Sequence, residues 1–258
     1  MSEKPVVTTA REGHVLIITI DRPEARNAIS PAVAAGIEAA IDELEGDDAL
    51  RAAVLTGAGT VFCAGADLRE IAAGRAAALS TERGGFAGLV RRKHDKPIVG
   101  AVQGDALAGG FEVALGCDLL VCAEGIRMGL PEVKRSLVAL AGGLVELPRL
   151  IGEKLALELA LTGDPTTPER LRDAGLVNRV VPKDEVLATA LALAARIAEN
   201  GPLAVKASRR IITEGRDLDT NARWEHSFKL GWPVFASEDA KEGPTAFLEK
   251  RAPVWKGR

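Results

Sequence analysis

The sequence has no tyrosine, and its three tryptophans and six phenylalanines bring aromatic residues to only 3%. Little material is therefore available for stacking nucleobases. The formal net charge of −3 supplies no global attraction to a polyanion, so no nucleic-acid partner is expected. Cysteine is equally scarce: Cys63, Cys117 and Cys122 form no CxxC pair, and only three histidines accompany them. A disulfide framework and a zinc site are both disfavoured, and buried free thiols and no bound metal are expected. No apolar run approaches the roughly 18–20 residues that would span a bilayer. The opening MSEKPVVTTAREGHV also lacks the continuous apolar core of a secretory leader. The expectation is a cytoplasmic protein without membrane attachment. What is plentiful is core-forming material, since 47% of the 258 residues are apolar and 27% charged. That balance predicts one large globular domain with a smaller appendage.

Apolar, β-branched runs predict strands at 5–9 and 14–20, joined as a buried hairpin, and further strands at 51–56, 97–102 and 118–123. Ser30 followed by Pro31 opens a helix as N-cap hydroxyl and first-turn proline, with Val33, Ile37, Ala40, Ile41 and Leu44 on its apolar face and an end near Gly46. A short helix is predicted at 109–115. The stretch 69–85, rich in small and charged residues with weak periodicity, reads as a mobile lid or loop. Strands alternating with helices imply an α/β core. Beyond Pro182 the pattern turns helical, with segments at 183–200, 202–213, 219–234 and 239–250. The division is drawn as a core over 1–195 and a helical subdomain over 196–258.

Two loops share a design suited to chemistry: Cys63-Ala64-Gly65-Ala66-Asp67-Leu68 and Gly104-Asp105-Ala106-Leu107-Ala108-Gly109-Gly110-Phe111-Glu112. Small residues let backbone approach a ligand closely, and a helix starting there leaves amides free at a positive dipole end. Such a place suits a developing oxyanion. Glu112 falls three residues after Gly109, about 4.5 Å along a helix axis, on the same face. Glu132 follows Pro131 and a short apolar stretch, and two carboxyls near one substrate allow one to take a proton while the other gives one. Other sites are absent. Phe62 occupies the place of the third glycine in a dinucleotide fingerprint, no lysine completes a P-loop, and neither HExxH nor GxSxG occurs.

The runs TGAGTVFCAGADL, AVQGDALAGGFEVALGCDLLV, PEVK and LTGDPTTPERLRDAGLVNRVV, with DRPEARNAIS near the start and SEDAKEGPTAFLEKR near the end, together resemble the enoyl-CoA hydratase and isomerase family, also called the crotonase family. The resemblance covers essentially the whole chain. It implies an α/β fold, a spiral of strand-strand-helix turns, whose C-terminal helical part forms trimers, usually paired as hexamers. It places the oxyanion donors on the backbone N–H groups of Ala66 and Gly109, and the two hydratase carboxylates on Glu112 and Glu132. Both glutamates being present, hydration of an enoyl-CoA ranks above double-bond isomerisation and above non-catalytic binding of acyl-CoA or RNA. The CoA thioester is the substrate and no cofactor is implied. Glu112 is assigned the base role and Glu132 the acid role, an order the residues themselves leave open.

Contacts to CoA and substrate are carried over to Ala64, Asp67, Leu68, Arg26, Phe247 and Lys250, the last reaching in from a neighbouring subunit. Glu24 and Thr60 stand where well-known hydratases have lysines, so Arg22, Arg26 or Arg69 would have to replace those phosphate contacts. KRSLVALAGGLVELPRL after the second glutamate, phenylalanine before Glu112 and the ending EKRAPVWKGR resemble the carnitinyl-CoA dehydratase branch. The remaining candidates read as structural. His14 and His226 are surface or packing residues, His94 lies on an exposed helix end beside Arg91, Arg92 and Lys93, and Asp118 belongs to a strand. Cys63 has no base beside it to make it a nucleophile.

Overall fold

The computed structural model describes residues 4–258; the first three residues of the stretch read above for a leader lie outside them. The chain opens with the hairpin of β1 (Val7–Glu12) and β2 (Val15–Ile20), turning at Gly13 with φ +56°. In α1 (Pro31–Gly46) the Ser30 hydroxyl accepts the Val33 amide and the predicted apolar face is buried. Next come β3 (Ala52–Gly57), β4 (Val61–Cys63) and α2 (Leu68–Ala72), then the two-residue strands β5 (Ser80–Thr81) and β6 (Gly85–Phe86). The centre holds β7 (Ile98–Val102), β8 (Asp105–Leu107), α3 (Gly109–Leu115), β9 (Leu119–Ala123) and β10 (Met128–Gly129). The remainder is α4 (Gly143–Ile151), α5 (Glu153–Thr162), α6 (Pro168–Asp173), β11 (Arg179–Val181), α7 (Val186–Ala198), α8 (Pro202–Glu214), α9 (Thr220–Phe235) and α10 (Glu238–Leu248).

Three consecutive turns of the chain repeat one plan. The first strand of each turn joins a six-stranded sheet of order β1-β2-β3-β7-β9-β11, and the second joins a three-stranded sheet of order β10-β8-β4. Within these two sheets all pairings are parallel except β1 with β2. This stacking of β3–β4, β7–β8 and β9–β10 is the spiral that the resemblance implied. Its large sheet is covered by helices, and β3 and β7 are accordingly buried along their whole length rather than alternating. Helix α7 packs on β3, β7 and β9 through Val186, Ala190 and Ala194. By contrast α8 and α9 bury no residue fully, and Trp224, Phe228, Trp232 and Phe235 form an exposed aromatic ladder along α9, its first three rings stacked and the last tilted.

Two expectations are overturned. The segment 69–85 is not an irregular loop: it holds α2, a 3-10 turn at 76–79 and the β5–β6 hairpin, and its hairpin end is fixed to α1. Thr81 donates to Glu38 at 3.2 Å, and Arg83 pairs with Asp42 at 2.7 Å and Glu38 at 3.3 Å. Those acidic partners lie some forty residues back, so local composition cannot reveal them. His94 is buried rather than exposed, and it sits outside any helix. Its Nδ1 faces the Lys96 carbonyl at 2.9 Å and its Nε2 faces the Arg209 guanidinium at 2.8 Å. A guanidinium can only donate, so Nδ1 carries the proton and the ring is neutral, in line with the lowering of its pKa by burial. Arg209 also pairs with Asp118, which lies one residue before β9 and accepts the Ile98 amide, so this cluster ties α8 to the large sheet.

Asn27 knits the loops around the small sheet. Fully buried, it accepts the Arg22 amide and donates to the carbonyls of Ala58 and Val61 at 2.9 and 2.7 Å. Replacing Asn27 with alanine strands these groups, and a loss of roughly 2–4 kcal/mol in unfolding free energy is expected by denaturant titration.

Candidate active site

Parallel strands deliver their following loops to one end of a sheet. Here β4 leads into residues 64–67, β8 into Ala108–Gly110 and β10 into the turn carrying Glu132, so the three segments emerge side by side. Glycine brings the first two into direct contact. A β-carbon on Gly110 would stand 2.0 Å from the Cys63 carbonyl oxygen, and one on Gly65 would stand 2.9 Å from the Gly109 amide nitrogen. A β-carbon on Gly109 would lie 3.4 Å from the Ala66 amide nitrogen. The two amides expected to act together are thus neighbours. Both are also free: the flanking Gly65 carbonyl and Asp67 amide bond to Ile29, leaving the Ala66 N–H unused, and among the described residues no acceptor faces the Gly109 N–H. Ala108 holds φ +54° and ψ −132°, a conformation costly for a residue with a β-carbon, and this bend starts α3 at the donor.

One turn into α3, Glu112 is 3% exposed and its Oε1 accepts the Gly143 amide at 2.9 Å. Burial pushes its carboxyl up from 4.5 to about 7, opposed by the backbone amides of Gly143 and Ala141 and assisted by the negative charge of Glu132. Glu132, half-buried on a 3-10 turn that starts at Pro131, is also raised by burial. Its Oε2 is buried with no partner among the described residues. No cation contributes to either shift, so the two acids share an apolar setting that favours keeping a proton.

The other expected contacts divide. Asp67 caps α2 through the Arg69 amide and pairs with Arg22 at 3.2 Å, while Arg22 also donates to the Ala28 carbonyl. Arg22 is therefore committed within the chain and is not a spare cation for a phosphate. Arg26 and Arg69 are exposed and make no ion pair among the described residues; the Arg26 carbonyl accepts the Ala64 amide, which sets it beside the first loop. Leu68 is 60% exposed at the start of α2. Phe247 and Lys250 are exposed at the end of α10, which packs on α9, and no hydrogen bond joins them to the two loops. Cys63 is buried and its thiol is pushed up to about 12, which leaves it inert as a nucleophile. Among the described residues no group of three His, Cys, Asp or Glu is arranged to hold a metal, and no helix is long and apolar enough to cross a membrane.

Two contributions escaped the sequence reading. The Gly142–Gly143 pair places an amide on Glu112, and its signal is a third small-residue cluster, Ala141-Gly142-Gly143, resembling the two donor loops. Phe86 lies with its ring edge on Gly109, and only the glycines around it hint at that placement.

Raising the Glu112 carboxyl from 4.5 to about 7 has a thermodynamic consequence. Between those values the folded chain keeps a proton that the unfolded chain has released, so stability falls as pH rises through this window and the deficit persists above it. Glu112→Gln removes the deficit. The variant is expected to exceed the parent by on the order of 3 kcal/mol near pH ~8 and to match it near pH ~4, measured by denaturant titration at both values.

The sequence profile described as enoyl-CoA hydratase/isomerase matches residues 10–258. The chain is 41% identical to the enoyl-CoA hydratase EchA19 of Mycobacterium tuberculosis, across 98% of this chain and 97% of that one. It is 42% identical to a carnitinyl-CoA dehydratase of Salmonella typhi, across the full length of both. A crystal structure of an enoyl-CoA hydratase from Mycobacterium tuberculosis H37Rv superposes with a TM-score of 0.95 at 47% identity, covering 99% of this chain and 100% of that one.

Proposed function

We propose that this chain, which belongs to the enoyl-CoA hydratase/isomerase family, reversibly adds water across the 2,3 double bond of an acyl-CoA thioester with Glu112 and Glu132 as its proton-transfer pair. The observation that carries this reading is the adjacency of two unused amides, Ala66 and Gly109, with one raised carboxyl a turn further along α3 and the other on the neighbouring turn after β10. Hydratase action on acyl-CoA accords with the enzymes it resembles, an enoyl-CoA hydratase and a carnitinyl-CoA dehydratase among them.

In this mechanism the thioester oxygen accepts from both amides. Water held between the glutamates gives a proton to Glu112 as its oxygen bonds to C3, and the double-bond electrons move onto the thioester oxygen as an enolate. Preorganised donors at that oxygen are worth about 3 kcal/mol of barrier each. The enolate then takes a proton at C2 from Glu132. Glu112 is assigned the base because backbone amides donate to it, and Glu132 the acid because its buried Oε2 has no partner to hold it ionised. When Glu132 is protonated its repulsion vanishes, so Glu112 ionises more readily than its value of about 7. Only protons and water move, so the reaction needs no redox cofactor.

Arg26 and Arg69 are proposed to meet the phosphates of CoA, with Ala64, Asp67 and Leu68 bounding that approach and Phe247 and Lys250 contributing from a second copy. The core over 1–195 would carry the chemistry and the helices over 196–258 the assembly. The exposed ladder on α9 supports self-association, which the resemblance makes a homotrimer or a pair of trimers, and three unpaired thiols are in keeping with the cytoplasm.

Glu112→Gln and Glu132→Gln are each expected to lower kcat for hydration of crotonyl-CoA by at least about a hundredfold while still binding the thioester. Retention of full rate by both variants overturns the assignment. Hydration by the parent should decline at alkaline pH, once the pair has lost the proton that burial favours it keeping. Light scattering is expected to give a particle of three or six chains, and Trp232→Glu, which puts a charge in the ladder, to yield smaller ones.

A further inference from the structure

The hairpin anchored to α1 bears on the site next to it. Phe86, at its end, is flanked by three residues in the left-handed region: Gly85 at φ +64°, Ala87 at φ +56° and Gly88 at φ +69°. Ala87 is not glycine and is completely buried, so the surroundings impose its conformation against its own preference. Thr81, Arg83 and Arg92 hold the segment to Glu38 and Asp42 of α1. Packing reinforces the anchor, since a β-carbon on Gly88 would lie 2.3 Å from the Ala34 carbonyl oxygen.

This bracing directs the Phe86 ring onto Gly109. A β-carbon there would stand 2.6 Å from Cζ and 2.8 Å from Cε1 of the ring, on the residue whose amide is one of the two free donors. One turn on, Val90 Cγ1 lies 3.0 Å from where a β-carbon on Gly142 would be, beside the clamp on Glu112. The segment 86–90 therefore forms an apolar wall running from the oxyanion donor to the base. A carbonyl oxygen held about 2.9 Å from the Gly109 nitrogen has its C2 only two bonds further on. The thioester sulfur is equally two bonds away, so it is the acyl side, laid along this wall toward Glu112, that brings C2 close to the ring edge.

Building on the hydratase reading above, we propose that Phe86 is a specificity-determining residue that excludes substituents at C2, making unbranched 2-enoyl thioesters the preferred substrate class over 2-methyl-branched ones. A rigid apolar wall can discriminate one methyl group by about 10- to 200-fold, and less if it can yield.

The test compares kcat/KM for crotonyl-CoA and 2-methylcrotonyl-CoA in the parent, Phe86→Leu and Phe86→Ala, with circular dichroism and melting to verify the fold. The parent is expected to favour the unbranched thioester by at least about tenfold, and the variants to narrow that ratio by about tenfold or more. A purely structural role would slow both substrates equally and leave the ratio where it was, which overturns the proposal. So does a parent that accepts both thioesters alike. Phe86→Leu retains an apolar filler, so it reports the ratio even if Phe86→Ala does not fold. A parent that hydrates neither thioester defeats the hydratase reading itself, a failure distinct from a wrong role for Phe86.

Discussion

The site rests on backbone touching backbone. Gly110 lies so close to the Cys63 carbonyl that no side chain fits between them, and Gly65 approaches the Gly109 amide in the same manner. Two short parallel strands, β4 and β8, start this approach, and the glycines complete it. Amides brought together in this way have little freedom to reorganise when charge appears beside them, which is the condition under which hydrogen-bond donors stabilise a transition state most. The strained bend at Ala108 belongs to the same construction, since it ends β8 and starts α3 without an intervening loop.

Around that contact the chain sets two carboxyls under opposing influences. Burial and mutual repulsion favour the protonated forms, while the amides at the start of α4 favour ionisation of Glu112. The result is a pair that can hold a single proton near neutrality, whereas two exposed glutamates would hold none. Retaining such a group ionised in the interior costs stability, so the fold accepts weakness at the proposed site of chemistry.

Much of this was legible in sequence because it is local. The Ser30 cap, the apolar face of α1, the hydrophobic strands and the three-residue step from Gly109 to Glu112 all follow from short-range periodicity and turn chemistry. The whole-chain resemblance added the spiral and the pairing of Ala66 with Gly109. What escaped depends on distant partners. Arg22 reads as a free cation until Asp67 meets it, His94 reads as exposed until Arg209 covers it, and the segment 69–85 reads as loose until α1 anchors it. Strands of two or three residues such as β5, β6 and β10 are too short to show any period, so the hairpin bearing Phe86 was invisible.

The amide of Gly143 reaches Glu112 across thirty-one positions of sequence. The acidity of a side chain on one helix is consequently written into the first residue of another. Drift at 142–143 among related proteins would retune proton affinity without altering any residue that meets the acyl group, offering evolution a control on working pH separate from the choice of substrate.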